Sequence, residues 1–261
     1  MIDVFHFSVA EARLFGAWHP PGKGRALDIV AVVCPPFGRE AAAGHVLGRR
    51  ISEELALKGV ATLRFDYFGT GDSEGSSIEA TLDRWLIDVT GAVEEARRRS
   101  AAHKVCLVGV RLGALLAAWS TAASEPLSAL CALDPVATGA GQIAEMRQLE
   151  RDGWGELGIT PESGSNDTLS LMGMSWSRRF VDALRNLDVG GLTRTPAERV
   201  GIFLGESRED SSNPWLGASA LTGVSERRVL GTQIEPSFNE GIWPPGRAPR
   251  QVAEWVESLF G

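Results

Sequence analysis

The chain has 261 residues, of which 44% are hydrophobic and 23% charged, so it is neither a disordered chain nor a coiled coil nor a collagen-like fibre. Its formal net charge of −7 argues against a nucleic-acid-binding domain, because binding to a polyanion needs a basic face. No apolar run reaches the ~20 residues that a membrane helix needs, and no secretory signal pattern is present at the start. We therefore expect a cytoplasmic protein that contacts neither nucleic acid nor membrane.

Apolar runs alternate with helix-like stretches over the first half of the chain, after a possible pair of antiparallel edge strands within the first ~25 residues. The predicted strands are 29–34, 60–65, 105–108 and 127–133, and the predicted helices are 41–58, 79–99 and 112–122. Continuous apolar strands that alternate with helices predict a parallel sheet covered on both faces.

The alternation stops between residues 135 and 197, where no strand is predicted and only 142–151 and 175–187 look helical. It resumes with strand 200–204, a second strand near 228–234 and a final helix at 250–260. This pattern divides the chain into three segments: the first part of a core domain, an insertion and the second part of the core domain. The predicted bounds are 1–134 for the first part of the core, 135–197 for a lid-like insertion and 198–261 for the rest.

A tight turn is expected at residues 109–113, where the sequence GVRLG follows a strand and opens a helix. This is the context of the G-x-S-x-G nucleophile elbow, in which a strand-to-helix turn lifts one side chain above the sheet edge. The central position is occupied by Arg111 rather than by a serine.

At these residues the chain resembles the α/β-hydrolase family, and within it the serine-aminopeptidase-like branch found near exosortase or biosynthetic loci. The matching segments are 34–40 (CPPFGRE), 63–73 (LRFDYFGTGDS), the elbow, 134–136 (DPV) with Gly139 and, more weakly, 183–188. The resemblance implies an α/β-hydrolase fold with a mostly parallel central sheet, helices on both faces and an inserted lid. Some members of this branch are similar in carrying arginine at the elbow.

The usual hydrolytic triad of serine, acid and histidine is incomplete in this sequence. Arg111 cannot act as a nucleophile, because its guanidinium stays protonated at any working pH. No histidine follows His103, so the base that the family places near the end of the chain is missing. Carboxylates remain in the acid and base regions, and Glu206 and Glu240 are the predicted catalytic residues there, with Asp66 as a third.

Two roles stay open for Arg111. Its guanidinium, at the start of a helix, can hold an anionic or carbonyl group of a ligand. Alternatively it forms an internal salt bridge with Asp66, Glu40 or Asp134, which we expect at neighbouring strand ends. For Asp66 the alternative to catalysis is a structural one, in which it and Asp72 hold a turn through hydrogen bonds to the backbone.

Several apolar residues are predicted to contact a substrate. The loop that supplies one oxyanion-hole N–H in the resembled family contains Phe37 and Gly38, and Leu112 follows Arg111 directly. The predicted contacts from the insertion and from the late loops are Trp154, Trp176 and Trp243. The aromatic residues of the insertion are equally consistent with its own core.

The sequence thus predicts a protein with a degenerate triad that acts without hydrolysis on an acyl or peptide-like metabolite. The reaction would be a cyclisation, elimination, isomerisation or acyl transfer in biosynthesis. The alternative is a non-catalytic ligand carrier or a partner of an active hydrolase paralogue, with a homodimer as a further expected assembly. Three cysteines without metal spacing and four scattered histidines predict neither a metal site nor a cofactor.

Overall fold

Most of the described strands belong to a single sheet, as seen in a computed structural model of the protein. The structure describes residues 1–24, 26–121, 127–156, 165, 167–205, 213–221, 226–230 and 246–261, with the backbone alone for Glu156 and 226–230. The strands of the sheet are β1 Asp3–Val9, β2 Ala12–His19, β3 Ile29–Cys34, β4 Ala61–Phe65, β5 Lys104–Val110, β6 Ala129–Leu133, β9 Val200–Gly205 and β10 Glu226–Leu230. A separate hairpin consists of β7 Thr168–Leu171 and β8 Met174–Ser177.

The helices connect these strands in the predicted alternating order. They are α1 Glu40–Leu57, α2 Leu82–Ser100, α3 Leu112–Thr121, α4 Gly139–Glu156, α5 Arg178–Arg185, the single turn α6 Pro214–Gly217 and α7 Ala248–Phe260. Thr81 caps α2, since its side chain accepts a hydrogen bond from the N–H of Arg84.

The order of strands in the sheet is β1-β2-β4-β3-β5-β6-β9-β10. The strands from β4 to β10 pair in parallel, whereas β1 pairs antiparallel with β2 and β2 antiparallel with β4. Both the mostly parallel sheet and the antiparallel edge pair were predicted, and both are confirmed. Strands β3, β6 and β9 are buried along their whole length, which explains why they read as unbroken apolar runs.

Helices cover the sheet on both faces, and the alternation of side chains along the strands divides the core accordingly. Val30 and Val32 of β3 belong to the apolar cluster that includes residues of α2 and α3. Ala31 and Val33 belong to the cluster that includes residues of α1 and α7. Fold class α/β, with one helical layer on each face, is therefore confirmed.

The segment between β6 and β9 contains one feature that the sequence reading missed. The prediction of no strand between residues 135 and 196 was wrong, because β7 and β8 pair antiparallel there. Met172 and Gly173 form the turn with φ of 55° and 79°, the pair of positive values that suits a tight hairpin. Strands of four residues are too short to show a clear alternating pattern.

Some other predicted elements in this half of the chain have different bounds in the structure. Helix α5 begins at Arg178 instead of 175, because the preceding residues pair in β8. Helix α4 extends beyond the predicted 142–151 on both sides. Of the predicted strand 228–234, residues 231–234 lie outside the described part of the chain, and β10 ends at Leu230. That the segment works as a lid stays a prediction.

Among the described helices, none has the length and apolar character required to cross a lipid bilayer.

Candidate functional site

The predicted elbow is a tight turn between β5 and α3. Arg111 has a φ of 54°, in the left-handed region that side chains rarely adopt. The flanking glycines permit close packing: a Cβ on Gly109 would lie 2.2 Å from the Cα of Ala114, and one on Gly113 would lie 2.3 Å from the carbonyl oxygen of Cys34. Only glycine fits at both positions, so the elbow geometry persists although its central residue is an arginine.

The turn lies where the direction of the chain through the sheet reverses. From β3 the chain crosses by α1 to β4 on one side, whereas from β5 it crosses by α3 to β6 on the other side. In open parallel sheets a crevice forms at the carboxyl ends of the strands at such a point, and ligands bind there. Arg111 therefore occupies the position that the fold offers for chemistry.

The Arg111 side chain is fully buried and contacts three carboxylates. Its Nη1 lies 3.2 Å from Oδ2 of Asp134, and its Nη2 lies 3.4 Å from Oε1 of Glu40 and 2.5 Å from Oε2 of Glu145. The salt-bridge alternative is thus the arrangement seen, with two of the three predicted partners. The third acid is Glu145, which the sequence reading missed, and not Asp66.

Three separate elements supply these acids. Glu40 is the first residue of α1, Asp134 directly follows β6 with a φ of 44°, and Glu145 lies on α4. Gln142, one turn earlier on α4, donates a hydrogen bond from Nε2 to Oε1 of Glu40 at 3.0 Å. The charged cluster (Arg111, Glu40, Asp134, Glu145 and Gln142) therefore joins the inserted segment to the sheet edge.

Burial and charge act in opposite directions on the cluster. Burial alone would lower the pKa of Arg111, but the carboxylates of Glu40, Asp134 and Glu145 outweigh it and raise that pKa. For Glu40 burial dominates and raises the pKa, although Arg111 and Gln142 partly compensate. The two directions agree physically, because one cation shared among three acids stays charged, whereas for Glu40 the partners do not fully offset the cost of burial.

The loop after β3 packs tightly beneath α4. Gly38 has a φ of 60°, and a Cβ there would lie 2.7 Å from Cε of Met146. Its neighbour Phe37 is 1% exposed and packs against Trp176, with ring centroids 4.7 Å apart. Trp85 and Phe180 complete this aromatic block, with their own centroids 4.7 Å apart.

The predicted substrate contacts fall into three groups. Phe37, Leu112 and Trp176 are buried, so for Trp176 the structure supports the alternative of a core residue. Gly38 lines a cavity described below, and Trp154 is half-buried on α4. Glu206, Glu240 and Trp243 lie outside the described residues, so their predicted roles stay predictions, as does ligand contact by the others.

An open cavity of about 530 Å³ lies at the carboxyl ends of β3 and β4, beside the elbow. It is bounded by the first half of α1, the loop after β4 and the turn of the β7–β8 hairpin. Asp66 lines it, whereas none of the charged cluster does. Volumes of this size are typical of small-molecule sites.

Asp66 holds the loop that forms one wall of this cavity. Its Oδ2 accepts a hydrogen bond from the N–H of Asp72 at 3.1 Å, and its carbonyl oxygen accepts one from Oγ of Ser73 at 2.6 Å. The predicted turn role is thereby confirmed for Asp66. Burial raises the pKa of this carboxyl, although the backbone hydrogen bond partly compensates.

A smaller groove of about 340 Å³ lies on the other side of α4, lined by Gln142, Glu145 and residues 135–138 among others. Glu145 keeps 30% of its side chain exposed, whereas Glu40 and Asp134 are almost fully buried. Solvent therefore reaches the charged cluster through Glu145.

Cys34 is fully buried at the end of β3. Burial raises the pKa of its thiol well above the ordinary range. Since the thiolate is the reactive form, Cys34 is a core residue rather than a nucleophile.

No protein-family model and no curated protein sequence matches this chain. Many solved structures do. Est1E from Butyrivibrio proteoclasticus, solved with ferulic acid bound, is 19% identical over 98% of both chains, with a TM-score of 0.66. The α/β hydrolase GrgF from Penicillium sp. sh18 is 14% identical over 99% of this chain and 98% of that one, with a TM-score of 0.65.

XC6422 from Xanthomonas campestris, a member of the α/β serine hydrolases without a lid, is also similar. It is 16% identical over 87% of this chain and 83% of its own, with a TM-score of 0.57. Likeness at these identities reports on architecture and leaves the chemistry open. The chain therefore has the α/β-hydrolase fold that its motifs implied.

Proposed function

We propose that this α/β-hydrolase-fold protein does not hydrolyse its ligand through a nucleophile at the elbow. Instead it acts on an acyl or peptide-like metabolite by a non-hydrolytic reaction: cyclisation, elimination, isomerisation or acyl transfer in biosynthesis. The observation that carries this proposal is the side chain of Arg111, fully buried at the nucleophile position and ion-paired with carboxylates from three elements.

A covalent hydrolytic mechanism needs a group at this position that can lose a proton and attack a carbonyl carbon. The guanidinium of Arg111 keeps its proton, and the surrounding carboxylates strengthen that preference. In hydrolases with a triad, loss of the nucleophile removes most of the rate. What remains for such a fold is binding, orientation and proton transfer.

Proton transfer is supported by Asp66, a predicted catalytic carboxylate that lines an open cavity. The pKa of Asp66 is raised by burial, which brings a carboxyl closer to the range where it accepts and returns protons near neutral pH. In their base-catalysed forms, cyclisation, elimination and isomerisation remove a proton from the substrate, which is the step that a carboxylate can perform.

A second candidate function is that of a ligand carrier without chemistry. It is favoured by the pairing of Arg111 with three internal carboxylates, since their negative charges offset the field with which the guanidinium would polarise a ligand carbonyl. The two candidates differ in turnover. An enzyme converts many equivalents of its ligand, whereas a carrier releases the ligand unchanged.

The test is hydrolysis of a panel of p-nitrophenyl esters and acyl N-acetylcysteamine thioesters of increasing chain length. We expect no saturable hydrolysis by the wild-type protein or by Arg111→Ala, with Arg98→Ala as a control for loss of an exposed arginine. Saturable hydrolysis by the wild-type protein would overturn the proposal, whether or not Arg111→Ala abolishes it.

A further inference from the structure

The cavity beside Asp66 has walls of two kinds. Its apolar walls come from the ends of β3 and β4 and from the hairpin, with Val33, Pro35, Pro36, Phe65, Met172 and Met174 as the main side chains. Methionine side chains adapt to ligands of varied shape, so the two on the hairpin give an adaptable wall. A cavity with this lining suits the hydrocarbon part of a small molecule.

The polar wall carries charges of both signs. Asp66 and Asp72 contribute carboxylates, Arg39 and Arg64 contribute guanidinium groups, and His45 on α1 adds an imidazole. The two carboxylates and the two guanidinium groups balance in charge. Arg64 also donates from Nε to Nε2 of His19 at 3.1 Å, so part of its hydrogen-bonding capacity is used inside the protein.

We infer that this cavity is the ligand site of the protein, and that it takes an uncharged amphipathic molecule whose apolar acyl chain lies along the hairpin and whose N–H or O–H group donates a hydrogen bond to Asp66. The inference rests on the proposed function, because it names the site and the class of ligand for that activity. It places the ligand one strand away from the elbow.

The polar wall carries carboxylates and guanidinium groups in equal number, so it gives neither an anionic nor a cationic head group a net electrostatic advantage. An anionic head would be repelled by Asp66, which is anchored in the loop through the N–H of Asp72. A cationic head would face Arg39 and Arg64 across the same cavity. A neutral donor avoids both penalties, and a hydrogen bond to a carboxylate is among the stronger kinds.

Three probes with the same chain length separate these cases. Octanoyl N-acetylcysteamine has an amide N–H and no charge, octanoate is an anion, and octylamine is a cation. Binding is measured by isothermal titration calorimetry and by ligand-observed NMR. We expect the thioester to bind at least about tenfold more tightly than either charged probe, a difference of roughly 1.4 kcal/mol.

Variants then locate the site. Ala42 is an exposed residue of α1 that lines the cavity, so Ala42→Trp fills it without disturbing the core. Leu57, 75% exposed at the far end of the same helix, supplies the matched control Leu57→Trp. Asp66→Asn removes the charge that accepts the hydrogen bond, with Asp83→Asn on α2 as its control, because Asp83 is exposed and does not line the cavity.

The expected result is about tenfold weaker thioester binding in Ala42→Trp and in Asp66→Asn, with unchanged affinity in both controls. Two results would overturn the inference and leave the proposed function standing: thioester binding that Ala42→Trp does not weaken, or no binding of any probe at concentrations up to about 1 mM. Saturable hydrolysis of the thioester by wild-type protein would instead overturn the proposed function. A preference for octanoate or octylamine would refute the stated ligand class.

Discussion

The elbow and the cavity beside it lie at the same edge of the sheet, but their charged residues differ in burial and in the number of their partners. At the elbow, Arg111 is withdrawn from solvent and ringed by acids from α1, the end of β6 and α4. Asp66 follows β4 and is separated from the elbow by β3. It faces an open volume of about 530 Å³, and one described hydrogen bond anchors its carboxylate.

On the proposed function, the scaffold has no nucleophile at the elbow and retains a ligand site in the cavity beside Asp66. A buried charge needs several partners to offset its loss of hydration, and Arg111 has three carboxylates in this role. A carboxylate at the rim of a cavity is held by one backbone N–H and leaves its other oxygen for a ligand. The following changes test this contrast.

Replacing Arg111 by methionine should have the largest effect. The change leaves Glu40, Asp134 and Glu145 without their cation, and breaking a buried ion pair in this way costs about 3–5 kcal/mol of unfolding free energy. Urea denaturation measures it. Arg98→Met, which breaks an exposed pair with Glu95, should be close to wild type, and equal losses in both variants would contradict the account.

Trp176→Ala tests whether Trp176 is a core residue of the aromatic block or a contact of the ligand. The side chain is fully buried against Phe37 and Phe180, so its removal should cost about 3–5 kcal/mol of stability. Trp18→Ala, at a half-buried position on β2, should cost less. If Trp176→Ala instead kept full stability and abolished probe binding, the residue would be the ligand contact that the sequence suggested.

Gly71→Ala acts on the loop that positions Asp66. Gly71 has a φ of 52°, and an added Cβ would lie 2.1 Å from Oδ2 of Asp66. We expect a loss of about 1–2 kcal/mol from the left-handed backbone together with weaker thioester binding. Gly155→Ala on α4, where a Cβ meets nothing within 4 Å, is the control and should be neutral or stabilising.

Glu40→Gln should have the smallest effect, and one that depends on pH. The pKa of Glu40 is raised by burial above its ordinary value of 4.5. As the pH rises from 4.5, the folded protein retains a proton that the unfolded chain has lost, so unfolding free energy falls.

Glutamine does not ionise, so the stability of Glu40→Gln relative to wild type should increase as the pH rises above about 4.5. Urea denaturation over a pH series measures the difference. Glu54→Gln on the same helix serves as the control, and a difference that shrinks with rising pH in Glu40→Gln would show that the folded protein prefers the ionised form.

The sequence was most informative where local pattern determines structure. Apolar runs such as 29–34 and 127–133 predicted buried parallel strands, and the glycines around Arg111 predicted the turn. Because the carboxyl ends of parallel strands meet at one edge, Glu40 and Asp134 could be expected near Arg111 before the structure was known.

The sequence was least informative about contacts between segments that lie far apart in the chain. Glu145 reaches Arg111 from 34 residues further along the chain, and its position depends on how α4 packs on the sheet edge. One signal was available in the sequence of α4. The polar residues Gln142 and Glu145 lie one turn apart, and each is followed directly by a buried apolar residue, Ile143 and Met146. The hairpin that brings Met172 and Met174 to the cavity was not predicted, because its two strands are only four residues long.

The most direct test of the central claim is the mass of the intact protein after prolonged reaction with a fluorophosphonate. This reagent forms a stable adduct with a serine that an elbow and its base activate. Because the elbow position holds Arg111, which is buried and paired with Glu40, Asp134 and Glu145, we predict that the mass of the protein stays unchanged. A stoichiometric adduct that disappears on prior unfolding would contradict the account and reveal an active nucleophile.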